Sequence, residues 1–213
     1  MSIREKILES TEKLFVERGI KATKLDDVAA DCKVSKKTIY NLFISKDELV
    51  LKLFENKVRE IEEFRIAFYN EPTIPFTQKL VFIIKAIKDV VALLSLPLLI
   101  EVKENYPEVR KILNAYIDRG IFDRFGQLYE DGMKNGYILE TSDFEDIAHA
   151  YRDAIYGILD LRLLNIKTSL DPAESISKTH ITTIVMLFRG MLTSSAIESY
   201  DIYTNQLLEA DLK

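Results

Sequence analysis

The sequence has 213 residues, of which 47% are hydrophobic and 30% charged, so the chain can bury a sizeable core and lacks the composition of a disordered protein. Its formal net charge of −5 excludes a protein that coats nucleic acid over its whole surface. The charge is uneven, because the stretch from Lys33 to Lys46 holds four lysines and no acid. Such a basic patch suits a small polyanion site, although a solvated lysine cluster gives the same pattern.

The composition also bears on where the protein works. Cys32 is the single cysteine, which excludes an intrachain disulfide. The N-terminus carries charges at residues 4–6 and lacks the apolar core of a secretory signal. The longest apolar stretch, residues 90–100, is well short of the roughly 20 residues that a membrane-spanning helix needs. We therefore expect a cytoplasmic protein with no membrane partner.

The spacing of apolar residues is helical almost throughout and predicts an all-α fold. A first helix is expected over residues 3–18, with Gly19 as its C-terminal cap. A short second helix is expected over 23–32, because its first four residues resemble a capping box. Ser35 can cap a third short helix over 36–43.

Longer helices follow these three. Ser45 and Glu48 form a capping-box pattern at the start of the fourth, flanked by Ile44 and Leu49 as a hydrophobic staple. The periodicity predicts helices over 45–69, 76–94, 108–135, 142–165 and 173–200, with a shorter element between Pro97 and Pro107. Glycines inside 108–135 leave open whether that segment is one helix or two.

The second and third helices, joined by a sharp turn, match the helix-turn-helix arrangement, in which the second of the two enters the DNA major groove. The first turn of that helix presents Ser35, Lys36, Lys37 and Thr38. Free backbone amides at a helix start attract anions, and lysines and hydroxyls there suit a phosphate or a base edge. Lys46 repeats this arrangement at the start of the fourth helix.

The runs 23–29, 34–43 and 45–49, with Leu14, Phe15 and Gly19 upstream, resemble the DNA-binding domain of the TetR family of repressors. The resemblance implies phosphate contacts from Thr38, Tyr40 and Lys46, base-edge contacts from Lys36, Lys37 and Asn41, and contacts to the other strand from Thr23 and Lys24. Tyr40 could instead be a half-buried aromatic. The family often has glycine where Lys33 stands, so we expect a strained backbone or a different turn there, at a cost of about 1 kcal/mol.

The resemblance also implies the organisation of the chain. It predicts an N-terminal three-helix helix-turn-helix domain at 1–46 and a larger helical effector-binding and dimerisation domain at 47–213. A homodimer would pair the last two long helices through Ile155, Leu159, Ile184, Phe188, Met191 and Leu192, although these stripes could partly face the monomer core. A small-molecule pocket is expected among aromatics that could otherwise be plain core, namely Phe64, Phe68, Phe82, Tyr106, Tyr116, Phe125, Tyr129 and Tyr151.

The function predicted from this sequence is a ligand-responsive transcriptional regulator. It would be a repressor that binds a near-palindromic operator in double-stranded DNA as a dimer, and that a small apolar or amphipathic effector releases. The alternative is a DNA-binding regulator without such an effector, controlled by a protein partner. An enzyme is disfavoured, because His149 and His180 lack a metal-ligand spacing and no glycine-rich phosphate loop or nucleophile elbow occurs. We expect no catalytic residue, metal or cofactor.

Overall fold

The computed structural model describes residues 1–93, 96–163 and 172–209, with side chains at these positions except 87–93, 96, 97, 99, 158–163 and 172–180. This part of the chain is all-α, as predicted. The α-helices are α1 (Ile3–Arg18), α2 (Leu25–Cys32), α3 (Lys36–Leu42), α4 (Lys46–Asn70), α5 (Phe76–Leu93), α6 (Leu96–Asn105), α7 (Pro107–Arg119), α8 (Gly126–Lys134), α9 (Phe144–Leu163), α10 (Pro172–Gly190) and α11 (Ser194–Glu209). A π-helical turn, Gly120–Phe125, joins α7 to α8, so the helix predicted over 108–135 continues through its glycines.

The chain forms two compact units. The first consists of Met1–Phe64 and Leu93–Tyr116, and the second of Arg65–Ala92 and Ile117–Lys213. Each unit has its own hydrophobic core. This division reflects how the segments pack. It does not test the functional boundary predicted after residue 46, which stays a prediction.

The first three helices share one apolar core with the start of α4. Its buried side chains include Ile7, Leu14, Phe15, Val28, Cys32, Ile39, Phe43, Leu49 and Val50. α2 and α3 are too short to be stable alone in water. They persist because this core removes their apolar sides from water, which contributes about 1.5–3 kcal/mol for each large side chain fully buried.

The second unit is built around packed aromatic rings. Phe125 of the π-helical turn stacks on Phe188 of α10, with the ring centroids 5.0 Å apart. Tyr151 of α9 meets both rings edge-on, at 5.7 and 5.2 Å. Such pairs add about 0.5–1.5 kcal/mol each to the free energy of burial. The rings therefore join the π-helical turn, α9 and α10 in one core.

The helix predicted over 173–200 is wrong, because α10 ends at Gly190 and α11 begins at Ser194. The intervening residues exchange backbone hydrogen bonds with the segment after α8. Leu139 donates its amide to the Met191 carbonyl, and Thr193 donates its amide to the Tyr137 carbonyl, both at 2.9 Å. The break was not visible in the sequence because the partner segment lies some fifty residues upstream.

Candidate DNA-binding site

The turn between α2 and α3 is closed by a lysine in a left-handed conformation. Lys33 has φ 56° and ψ 43°, and among the described residues it is the one non-glycine with positive φ. The Val34 amide donates to the Ala29 carbonyl at 3.0 Å, and the Lys33 amide donates to the Ala30 carbonyl at 3.2 Å. The expectation of a strained backbone at Lys33 is confirmed, because residues with a Cβ disfavour this region.

The start of α3 is capped by its own hydroxyls. The Ser35 Oγ accepts the Thr38 amide at 3.0 Å, and the two hydroxyls share a further hydrogen bond of 2.8 Å. Ile39 is fully buried and fixes the inner side of the helix. Ser35 and Thr38 therefore stabilise the start of α3. Any contact that they make with DNA would be additional to this capping role.

The outer side of α3 is polar and exposed. Lys36, Lys37 and Asn41 are exposed, and 48% of the Tyr40 surface is accessible, so Tyr40 is half-buried and its contact with a phosphate stays a prediction. These four side chains project from a helix that Ile39 anchors from the other side. The structure thus brings together the residues that the sequence assigned to base edges and to one phosphate.

The end of α3 is held by a residue that the sequence reasoning missed. Phe43 is buried, and the guanidinium of Arg4 in α1 lies 4.7 Å from the centre of its ring. The Arg4 Nη1 also donates to the Leu42 carbonyl at 3.5 Å. No sequence signal links residues 38 positions apart in this way.

The staple expected between Ile44 and Leu49 is wrong, since Ile44 is 85% exposed while Leu49 is fully buried.

The Thr23 side chain is buried and stabilises the fold. It is 1% exposed, and its hydroxyl donates to the carbonyls of Gly19 at 2.8 Å and Leu14 at 3.2 Å. The capping arrangement expected to begin at Thr23 lies one residue later, where the Asp27 carboxylate accepts the Lys24 amide at 3.0 Å. We therefore withdraw Thr23 from the DNA-contacting set and retain Lys24, which is exposed.

Lys46 is engaged in holding the loop after α1. Its Nζ donates to the Ile20 carbonyl at 2.6 Å, and burial lowers the pKa of this amine. On the same loop, the Glu101 carboxylate of α6 accepts the Lys21 amide at 2.8 Å. Glu101 is a second residue that the sequence did not reveal, because 80 positions separate it from Lys21. The Lys46 ammonium group has two further N–H donors, so a contact to a phosphate would add to the hydrogen bond with Ile20.

An acidic residue joins α2 to the start of α3. The Asp26 Oδ2 lies 2.9 Å from the Lys36 Nζ, and this hydrogen bond is the main cause that raises the pKa of Lys36. Lys36 is therefore positively charged near neutral pH but is paired in the free protein. Sequence reasoning placed Lys36 near base edges without finding this partner.

Five of the six residues predicted for the dimer interface lie in the core of the second unit. Those with described side chains are Ile155, Ile184, Phe188, Met191 and Leu192, and all are buried. The side chain of Leu159 lies outside the described residues. Buried side chains are not offered to a second copy, so we withdraw this set. The exposed side of α10 instead includes Met186, with 68% of its surface accessible.

The aromatics predicted for the pocket do not form a single cluster within either unit. In the second unit, Phe125, Tyr129 and Tyr151 are buried in the core, while Phe68 stacks on Phe82 with centroids 4.0 Å apart. The other three, Phe64, Tyr106 and Tyr116, belong to the first unit. Phe64 is exposed, Tyr106 partly buried and Tyr116 buried. Their role in an effector pocket stays a prediction.

The residues that the structure describes contain neither a membrane-spanning helix nor a metal-binding cluster. No helix there combines the length and apolar character needed to cross a bilayer. Within the same ranges, no three His, Cys, Asp or Glu side chains gather in a way that could hold a metal ion.

Two short helices around a tight turn, with a polar face on the second, define a helix-turn-helix DNA-binding transcriptional regulator. Residues 7–53 match the sequence model described as bacterial regulatory proteins of the tetR family. The HTH-type transcriptional regulator YhgD of Bacillus subtilis is 32% identical over 144 residues, which cover 65% of this chain and 74% of YhgD. The chain belongs to the TetR family.

Solved structures share its fold. A transcriptional regulator from Saccharomonospora viridis, in complex with choline, has a TM-score of 0.67 and 18% identity, covering 89% of this chain and 97% of its own. The regulator FadR from Bacillus subtilis, in complex with stearoyl-CoA, has a TM-score of 0.54 and 18% identity, covering 84% and 96%. The all-α architecture of this chain is therefore that of known regulators.

Proposed function

We propose that the protein is a dimeric repressor that reads double-stranded DNA with α3 and that a small effector releases from its operator. The observation that carries this proposal is the outer side of α3, where Lys36, Lys37, Tyr40 and Asn41 are exposed. Lysine and asparagine are suited to base edges, and a tyrosine hydroxyl to a phosphate.

A dimer follows from the small footprint of one α3. A helix of seven residues can read only a few base pairs, so a second copy placed about 34–36 Å away, or a multiple of that spacing, supplies the missing specificity. Two-fold symmetry then implies a near-palindromic operator. We place the interface on the exposed side of α10 around Met186, because burying this apolar side chain against a second copy would remove it from water. Nearby, Gly190 has open space where a Cβ would stand, so it leaves room for close approach.

The role of an effector is supported less directly than DNA binding. Two proteins with this fold were solved with choline, a small organic cation, and with stearoyl-CoA, an amphipathic molecule. They support a small-molecule effector bound within residues 47–213, and the second supports an amphipathic one. The tight ring packing of Phe125, Tyr151 and Phe188 favours the second candidate, regulation by a protein partner without an effector. Filled aromatic cores have no room for a ligand.

The DNA contact is tested by selecting the preferred duplex from a random pool with the full-length protein. Affinity for that duplex is then measured for Lys37→Ala and Asn41→Ala. We expect each to bind about 5- to 150-fold more weakly, because a base-edge contact contributes about 1–3 kcal/mol. Lys134→Ala, an exposed lysine at the end of α8, is the control that should bind normally. Unchanged affinity in both α3 variants would contradict the proposal.

The effector is tested by screening small molecules for thermal stabilisation. Each hit is then added to the complex with the selected duplex. A true effector should weaken binding about 5- to 150-fold, which corresponds to a coupling of about 1–3 kcal/mol. Compounds that bind and leave DNA affinity unchanged would favour the protein-partner alternative.

A further inference from the structure

An acidic side chain lies within the basic surface of the helix-turn-helix. Asp26 is in the first turn of α2, and its carboxylate meets the ammonium group of Lys36, the first residue of α3, at 2.9 Å. Both side chains are well exposed, at 63% for Asp26 and 47% for Lys36. The pair is therefore accessible to solvent, and Lys36 is adjacent in the chain to the exposed Lys37, in the first turn of the helix proposed to read DNA.

The fold itself makes little use of Asp26. The start of α2 is already served by Asp27, whose carboxylate accepts the Lys24 amide. An exposed ion pair such as this one contributes little to stability. An acid at this position thus has a small structural effect, and its main consequence falls on whatever negatively charged molecule comes near α3.

DNA is such a molecule, and the effect of Asp26 on it is local. Charges are screened over about 8 Å at physiological salt, so Asp26 acts on phosphates docked at α3 and not on distant DNA. Attraction to phosphates supplies essentially all sequence-independent binding. A carboxylate that neutralises Lys36 and repels phosphates therefore lowers the affinity for DNA of any sequence. It lowers the contribution of contacts to base edges less.

We propose that Asp26 is a specificity-determining residue of the helix-turn-helix, which holds Lys36 and weakens attraction to the DNA backbone so that stable binding requires base contacts. This proposal rests on the proposed role of α3 in reading DNA. While Asp26 holds Lys36, the lysine is directed along the motif and not toward the nearest phosphate. Base contacts from Lys37 and Asn41 are not reduced in the same way.

The test measures binding of full-length Asp26→Asn to a random-sequence duplex of roughly 30 base pairs and to the selected duplex, by fluorescence anisotropy across salt concentrations. On the random duplex we expect binding about tenfold tighter at about 50 mM salt and about threefold tighter at about 200 mM. One additional phosphate contact steepens the salt dependence by about 0.9, which accounts for that difference. Binding to the selected duplex should change less, so the ratio of the two affinities should fall.

Two control variants separate charge from position. Glu63→Gln removes the same charge from an exposed residue of α4, roughly 25 Å along the helix from Lys46, and should behave as the wild type. Asp26→Glu keeps the charge and should also retain the wild-type salt dependence. Thermal unfolding of each variant checks that the fold is kept, and Asp26→Ser replaces Asp26→Asn if that variant unfolds.

Lys36→Gln shows whether Asp26 acts through its partner. When Lys36→Gln is already present, adding Asp26→Asn should increase the affinity for the random duplex by at most half as much as it does in the wild type. Unchanged or weaker random-duplex binding by Asp26→Asn, with Lys36→Gln and Lys37→Ala still impaired, overturns the role of Asp26 and leaves the DNA contact of α3 intact. Wild-type binding by all three variants overturns both proposals.

Discussion

Replacing Lys33 by glycine tests the backbone strain in the turn before α3. At φ 56° and ψ 43°, the lysine Cβ crowds the following carbonyl, which costs roughly 1–2 kcal/mol. Glycine removes this cost but loses about 0.5–1 kcal/mol more than a residue with a side chain when the chain is ordered. The turn hydrogen bonds use backbone atoms only and are kept. We expect Lys33→Gly to raise the free energy of unfolding by about 0.5–1 kcal/mol.

The assay is thermal unfolding followed by circular dichroism, with urea unfolding as a second measure. For a chain of this length, the expected gain corresponds to a Tm higher by about 1–4 °C. Lys33→Ala removes the same charge but keeps the Cβ, so it should not gain stability. If the glycine variant is no more stable than the alanine variant, the left-handed conformation at Lys33 carries no strain and the reasoning fails.

Two further predictions concern packing and pH. A Cβ at Gly132 would lie 2.6 Å from the side chain of Ile138, so Gly132→Ala should lower the free energy of unfolding in urea by about 1–3 kcal/mol. The control is Gly120→Ala, whose Cβ would meet the Arg65 side chain at an ordinary contact distance of 3.5 Å, and equal stability of the two variants would contradict the packing. The hydrogen bond from Ser10, together with a neighbouring lysine, lowers the pKa of Asp31. The ionised Asp31 carboxylate therefore stabilises the folded state fully at pH values above the ordinary carboxyl pKa of about 4. This stabilisation is lost as the pH falls below that value and through the lowered pKa of Asp31. Asp31→Asn should lose less stability than the wild type between pH 7 and pH 3 in urea unfolding, and equal losses would show that Asp31 does not contribute.

The sequence by itself determined the local structure and the family. α1 was predicted with its observed bounds, and Ser35 was recognised as the cap of α3, because capping and apolar spacing involve residues within a few positions of each other. For Lys33, the resemblance left open a strained backbone or a different turn, and the structure shows the left-handed conformation. The helix-turn-helix runs likewise carried the resemblance to the TetR family, which the comparisons confirmed.

The tertiary structure decided what each of these residues touches. An apolar stripe such as Ile184 and Phe188 shows that one side of a helix is buried, but not whether its own chain or a second copy covers it. The hydroxyl of Thr23 was free to be assigned to DNA until the fold buried this side chain, which is 1% exposed. Glu101 has no local signal at all, because its partner is 80 residues away. Spacing along a helix fixes the direction of a side chain, whereas its partner is set by the packing of distant segments.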